Sequence, residues 1–139
     1  MVSLGIAALP PAHAAMPDPL AAFTAKTFGD AVGALSGAPG GVLVPSPLVT
    51  LEVPAVADNG AFVPVTVSSA LPGTREILLL VDGNPQPVAA RFVIPAGTEP
   101  FVATRIRMAA SGTVHAAVRT DDGVFVAMRS VQVTVGGCV

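Results

Sequence analysis

The sequence predicts an all-β sandwich of about seven strands preceded by one amphipathic helix, and three observations carry that prediction. From residue 48 onward, short segments alternate apolar and polar residues, the period-2 signature of half-buried strands. Turn chemistry such as Asp-Asn-Gly, Pro-Gly and Asp-Asp-Gly separates these segments every eight to twelve residues or about that. The composition, with 52% hydrophobic and 12% charged residues, 14 Gly, 14 Pro and neither Trp nor Tyr, fits a β-rich globule with many turns. It argues against a disordered chain or a helical bundle. At 139 residues, one domain with its own core is the default.

The opening stretch, MVSLGIAALPPAHAAMPDP, places an apolar run from Val2 to Leu9 ahead of Ala12-His13-Ala14. This is the pattern of a signal peptide over residues 1–14, with the mature chain starting at Ala15. The run is too short to span a bilayer. No Lys or Arg precedes Lys26, so the charged n-region is missing and the leader reads as truncated at its start. The alternative is an apolar, disordered N-terminus. Residues 15–47 read as a helix and a linker: Asp18 can cap, Pro19 suits the first helical position, and Leu20, Phe23, Phe28, Ala31, Val32 and Leu35 fall on one side of a helix spanning residues 19–35. Pro45 and Pro47 then mark an irregular crossing, because proline cannot donate to a ladder.

The sandwich follows over residues 48–135. LVTLEV (48–53) turns Val49, Leu51 and Val53 to one face, and AFVPVTVS (61–68) turns Val63, Val65 and Val67 inward. REILLLVD (75–82) is apolar on both faces, which places it in the middle of a sheet. VAARFVI (88–94) comes next, then FVATRIRM (101–108) with Val102, Thr104, Ile106 and Met108 inward, then TVHAAVRT (113–120) with Val114, Ala116 and Val118 inward. Asp121-Asp122-Gly123 makes a tight hairpin into the last segment, 124–135. There Val124, Val126 and Met128 share one parity while Val131, Val133 and Val135 share the other. A one-residue slip flips every side chain, so a bulge near Arg129-Ser130 is the expected repair. The resulting pattern is immunoglobulin-like, without the Cys-Trp-Cys signature of antibody domains.

Chemistry-bearing residues are sparse. The net charge of −2 comes from nine acidic and seven basic residues without runs, which leaves no electrostatic footprint for nucleic acid or an anionic membrane. His115, on the outward parity of its strand, is expected to be a solvated surface residue. No second His or Cys stands at metal-ligand spacing, so no cofactor or metal is expected. The hairpin accounts for Asp121 and Asp122 better than acid–base work does. Arg105, Arg107 and Arg119 project from polar faces, and together could form a small basic patch for an acidic partner; solubility and edge protection are the plainer reading of these and of Arg129.

The single cysteine stands apart. In VQVTVGGCV, Gly136 and Gly137 follow the last strand residue, Val135, and Cys138 and Val139 close the sequence. The glycines leave the backbone unrestrained by side chains, so residues 136–139 read as a flexible arm that carries a thiol roughly 10 Å beyond the strand. An odd cysteine in an exported chain is either cross-linked to another molecule or reactive. No neighbouring residue lowers its pKa, and thiolate formation would depend on a partner's pocket. A thiol enzyme would need a base held near it, which a flexible tip does not provide.

VTLEVPAVADNGAFVPVTV, PVAARFVIPAG, FVATRIRMAASGTVHAAVRTDDGVFVA and the closing VTVGGC together resemble SoxY, the sulfur-carrier subunit of the periplasmic thiosulfate-oxidising system, over residues 48–138. The resemblance implies an immunoglobulin-like, periplasmic subunit that forms a heterodimer with a SoxZ-like protein and is not itself an enzyme. It implies that Cys138 holds the substrate covalently, on an arm of Gly136, Gly137 and Val139, while other proteins act on it. Those are a haem enzyme that conjugates thiosulfate, a metal-dependent hydrolase that releases sulfate, and a sulfane dehydrogenase. The family's tail is typically Gly-Gly-Cys-Gly-Gly, whereas one Val139 follows Cys138 here. A related carrier serving a different periplasmic dehydrogenase, or a structural immunoglobulin-like module cross-linked through Cys138, are the alternatives.

Overall fold

The computed structural model describes residues 21–22, 25–36 and 43–136. The expected signal peptide, residues 1–14, lies outside the described residues. Among the described residues, helix α1 (Phe28–Ser36) is followed by nine strands: β1 (Val44–Pro45), β2 (Val49–Glu52), β3 (Val56–Ala57), β4 (Val63–Ser69), β5 (Glu76–Asp82), β6 (Val88–Val93), β7 (Phe101–Ile106), β8 (Gly112–Thr120) and β9 (Gly123–Val133). They form a sandwich of a six-stranded sheet, ordered β1-β9-β8-β5-β6 with β3 also on β9, and a three-stranded sheet, β2-β4-β7. All seven expected strands are present. The two additional ones are two-residue pieces that run parallel to β9 along its outer edge. Pro45 is tolerated there because Ser46, not Pro45, donates to the Val126 carbonyl, at 3.1 Å.

Between the sheets, Leu51, Val63, Val65, Val67, Val102 and Ile106 meet Ile77, Leu79, Val81, Val114, Ala116 and Val118. The alternate residues of β5, Leu78 and Leu80, point the other way into a second cluster with Ala22, Ala31, Leu35, Leu43, Val88, Ala117 and Val126. Residues Glu76 through Val81 are therefore buried on both faces. Helix α1 packs on the outer face of the larger sheet of its own chain.

This second layer accounts for the departures from expectation. The single helix expected over residues 19–35 is interrupted at Ala25–Thr27, and Leu20 and Phe23 lie outside the described residues. Thr27 caps the new start: its Oγ1 accepts from the Asp30 N–H at 3.0 Å and its carbonyl accepts from the Ala31 N–H at 3.1 Å. Asp30 in the first turn also suits the helix dipole. No bulge occurs near Arg129-Ser130, because β8 and β9 pair in unbroken register from Gly112–Val131 to Thr120–Gly123. The parity change instead records a change of cover: Val124 and Val126 lie under the helix layer, whereas Phe125, Ala127, Val131 and Val133 face the sandwich. The register shift falls between β5 and β6, at Leu79/Leu80.

His115 is not a solvated surface residue either. The ring of Phe28 covers it at a centroid distance of 4.5 Å and a tilt of 44°, and its Nδ1 is buried without a hydrogen bond of normal geometry. Burial holds the imidazole below its ordinary pKa, with the charge of Asp82 and the Thr113 backbone acting in the opposite direction. Folding thus favours neutral His115. The unfolded chain takes up a proton at about pH 6.5 that the folded chain resists, so this group's stabilisation is complete above that pH and lost as the pH falls below it. The expected result is a urea midpoint that drops between about pH 7.5 and about pH 5.5, and a shallower drop in His115→Gln, measured by equilibrium unfolding at both pH values.

Candidate functional site

The segment leading to the cysteine is built by β9 and three loops. Beyond its pairing with β8, the end of β9 is gripped from the β3 side: the Gln132 N–H donates to the Ala55 carbonyl at 2.9 Å and the Thr134 N–H to the Ala57 carbonyl at 3.0 Å. The Thr134 hydroxyl adds a bond to the Asp58 carbonyl at 3.0 Å. Gly60 donates to the Val135 carbonyl at 2.8 Å, and the Met108 N–H donates in turn to the Gly60 carbonyl at 2.7 Å. On the opposite side, the Val133 N–H donates to Ser111 Oγ at 2.8 Å. Each bond contributes about 1 kcal/mol or less, but together they fix the chain through Val135.

Gly136 is exposed and stands against the loop between β7 and β8. A Cβ built on it would lie 2.2 Å from the Ala109 carbonyl oxygen, so a close backbone approach, rather than conformational freedom alone, calls for glycine here. Gly137, Cys138 and Val139, the remaining residues of the predicted arm, lie outside the described residues. Two residues carry Cys138 no farther than about 7 Å from Gly136.

The other residues weighed for chemistry do not join this site. Arg105 and Arg107 belong to the β7 side of the sandwich, whereas Arg119 lies on β8 in the opposite sheet, so the basic patch of all three does not form. Arg119 is engaged elsewhere: its Nε donates to Glu76 Oε1 at 2.7 Å, while Arg91 Nη2 donates to the other carboxylate oxygen, Oε2. Glu76 is only 3% exposed, and this cross-strand triad went unread in the sequence. Its signal is there, an acid on β5 with arginines on both neighbouring strands, but it becomes visible only once the pairing of β6, β5 and β8 is known. Asp121 forms a surface ion pair with Arg75 at 2.6 Å, which holds its carboxyl below the ordinary range, first through that hydrogen bond and then through the arginine's charge. Arg129 donates to the carbonyl of Met128 at 2.9 Å. Among the described residues, no group of three or more His, Cys, Asp or Glu could hold a metal ion, and no helix is long and apolar enough to cross a membrane.

Fold and site together define the class: an immunoglobulin-like β-sandwich whose last strand is clamped up to the residue from which a Gly-Cys segment departs. The chain belongs to the SoxY family, since the model of the family described as sulfur oxidation protein SoxY matches residues 38–138. The chain is similar to the sulfur carrier protein SoxY from Chlorobium limicola f thiosulfatophilum, with 32% identity, a TM-score of 0.67, and coverage of 80% of this chain and 95% of that one. It is also similar to the superoxide reductase (neelaredoxin) from Ignicoccus hospitalis, with 20% identity, a TM-score of 0.51, and coverage of 61% of this chain and 79% of that one. This second likeness speaks to the fold alone. No curated protein matches by sequence.

The triad generates a stability prediction. Removing the carboxylate in Glu76→Ala leaves two guanidinium groups facing each other without their shared partner. The arginine side chains are 30% and 27% exposed, which puts the cost near the lower end of the range for breaking a buried ion pair, about 3 kcal/mol. Chemical denaturation of the wild type and the variant is expected to show this difference, and Glu76→Gln should lose less, because it keeps an acceptor oxygen.

Proposed function

We propose that this chain is a periplasmic carrier for thiosulfate and sulfur oxidation, holding sulfur intermediates covalently on Cys138 and presenting them to partner enzymes. The observation that carries this reading is the clamped, exposed end of β9 at Gly136, two residues before Cys138 and inside the span of the family match. A thiol two residues past an exposed Gly136 suits a group that is offered to another protein's pocket. On this reading residues 1–14 are the export signal, residues 15–47 a helix and linker, and residues 136–139 the carrier arm.

The chemistry asks little of the carrier itself. A thiolate joined to thiosulfate forms an S–S bond and releases two electrons, which the haem partner implied by the family would accept. A hydrolase then uses water to cleave the terminal sulfonate as sulfate and leave a persulfide, whose outer sulfur a sulfane dehydrogenase oxidises to a sulfonate, taking oxygen from three waters and passing six electrons to a haem acceptor; a second hydrolysis releases that sulfonate as sulfate and restores the thiol. Thiolate formation would come from the partner's pocket, since the arm holds no cationic neighbour for Cys138. The division of labour therefore makes the chain a carrier rather than an enzyme, working as a heterodimer with a SoxZ-like subunit.

Intact-mass measurement of the protein from thiosulfate-grown cells tests the proposal. The expected result is a population bearing thiosulfonate and persulfide increments that map to Cys138 and vanish in Cys138→Ser, together with thiosulfate turnover. An unmodified chain, with turnover indifferent to Cys138→Ser, overturns it.

A further inference from the structure

We infer that Asn84 is a positioning residue for the carrier thiol, acting through Ala109 on Gly136; the inference rests on the carrier reading of Cys138. Asn84 follows β5, far in sequence from the cysteine, yet its side chain spans the loop after β7. Its Nδ2 donates to the Arg107 carbonyl at 2.7 Å, and its Oδ1 accepts from the Ala109 N–H at 2.9 Å. Both ends of one amide are thus spent on residues 107 and 109. Between them Met108 is fully buried and its N–H is bound to Gly60, which leaves the Ala109 peptide little room to rotate.

The carbonyl of that same Ala109 is what Gly136 abuts, with space for a hydrogen and none for a methyl group. Gly60, bonded to Met108, donates to Val135 from the other side. Gly136 is therefore held against the sandwich, two residues before Cys138. The loop that Asn84 holds thus sets the direction in which the backbone leaves Gly136 toward Cys138. Displacing reacting atoms by about 1 Å can cost on the order of a hundredfold in rate, so an amide far from the cysteine in sequence governs how well a partner's active site receives it.

The test uses the full chain with its SoxZ-like partner and the thiosulfate-conjugating enzyme. Cys138 loading is followed by intact mass, iodoacetamide alkylation reports intrinsic thiol reactivity, and the lineshape of a nitroxide on Cys138 reports local motion. In Asn84→Ala and Gly136→Ala, enzyme-driven loading is expected to fall about tenfold or more, with alkylation within about twofold of wild type and a narrower nitroxide lineshape. Asn84→Asp keeps the acceptor toward Ala109 and loses the donor toward Arg107, so it should recover part of the loading; it also serves where Asn84→Ala lowers the melting temperature. Loading within twofold of wild type in folded Asn84→Ala, with an unchanged lineshape, overturns the inference. A wild-type protein that never loads sinks the carrier reading instead, an outcome distinct from failure of the clamp, which leaves wild-type loading intact.

Discussion

The constraint on which the rest of the structure depends is that β5 is buried on both faces. A strand reading Ile77-Leu78-Leu79-Leu80-Val81, with every residue at 0% exposure, cannot sit in a two-layer sandwich that leaves one sheet face to water. Fully burying one leucine stabilises by about 1.5–3 kcal/mol, so leaving Leu78 and Leu80 uncovered would forfeit several kcal/mol of a typically marginal total. Helix α1, with Ala31 and Leu35, supplies the missing layer. Once it is in place, Ala117 and Val126 become core residues, His115 is trapped beneath Phe28, and Glu76, on the same parity as Leu78, must be neutralised where it stands. Arg91 and Arg119 do so from the two neighbouring strands.

Much of this was legible in the sequence, because period-2 alternation and turn residues are local signals. All seven expected strands are present, and the reading of residues 75–82 as a central strand follows from their two-sided apolar pattern. The errors on the strands share one cause. Alternation reports how many apolar faces a strand has, not what covers them, so the phase change in β9 suggested a bulge when the actual event is the end of the helix's cover near Met128. The outward parity of His115 suggests a solvent-facing residue for the same reason. The break at Thr27 escaped because apolar spacing continues across it, and only the hydroxyl cap distinguishes a fresh helix start.

The candidate site was legible as a composition rather than as a place. A lone cysteine after two glycines stands out in any reading, but nothing local ties Gly136 to Ala109, or Ala109 to Asn84, across separations of 27 and 25 residues. These contacts exist because the β5–β6 turn, the β7–β8 loop and the end of β9 meet at one end of the sandwich, a consequence of topology alone. Glycine's two uses, freedom and close approach, are indistinguishable in a string of letters. In Gly136 the structure reveals close approach.

On the proposed reading, in which the Cys138 thiol is offered to several differently shaped enzymes, two demands oppose each other: the thiol has to enter each pocket, and each enzyme has to find it. A long, loose tether satisfies the first and weakens the second, since the effective concentration of a tethered group falls steeply as the tether lengthens past the span it must cross. The chain is held through Val135 by hydrogen bonds to the Ala57 carbonyl and Ser111 Oγ and from the Gly60 N–H, and the two residues from Gly136 to Cys138 span no more than about 7 Å. On that reading each partner docks against the sandwich closely enough to bring its own active site to within that distance. The same reading puts discrimination among partners in the surface around the end of β9 and leaves to the last residues only reach and a sulfur atom.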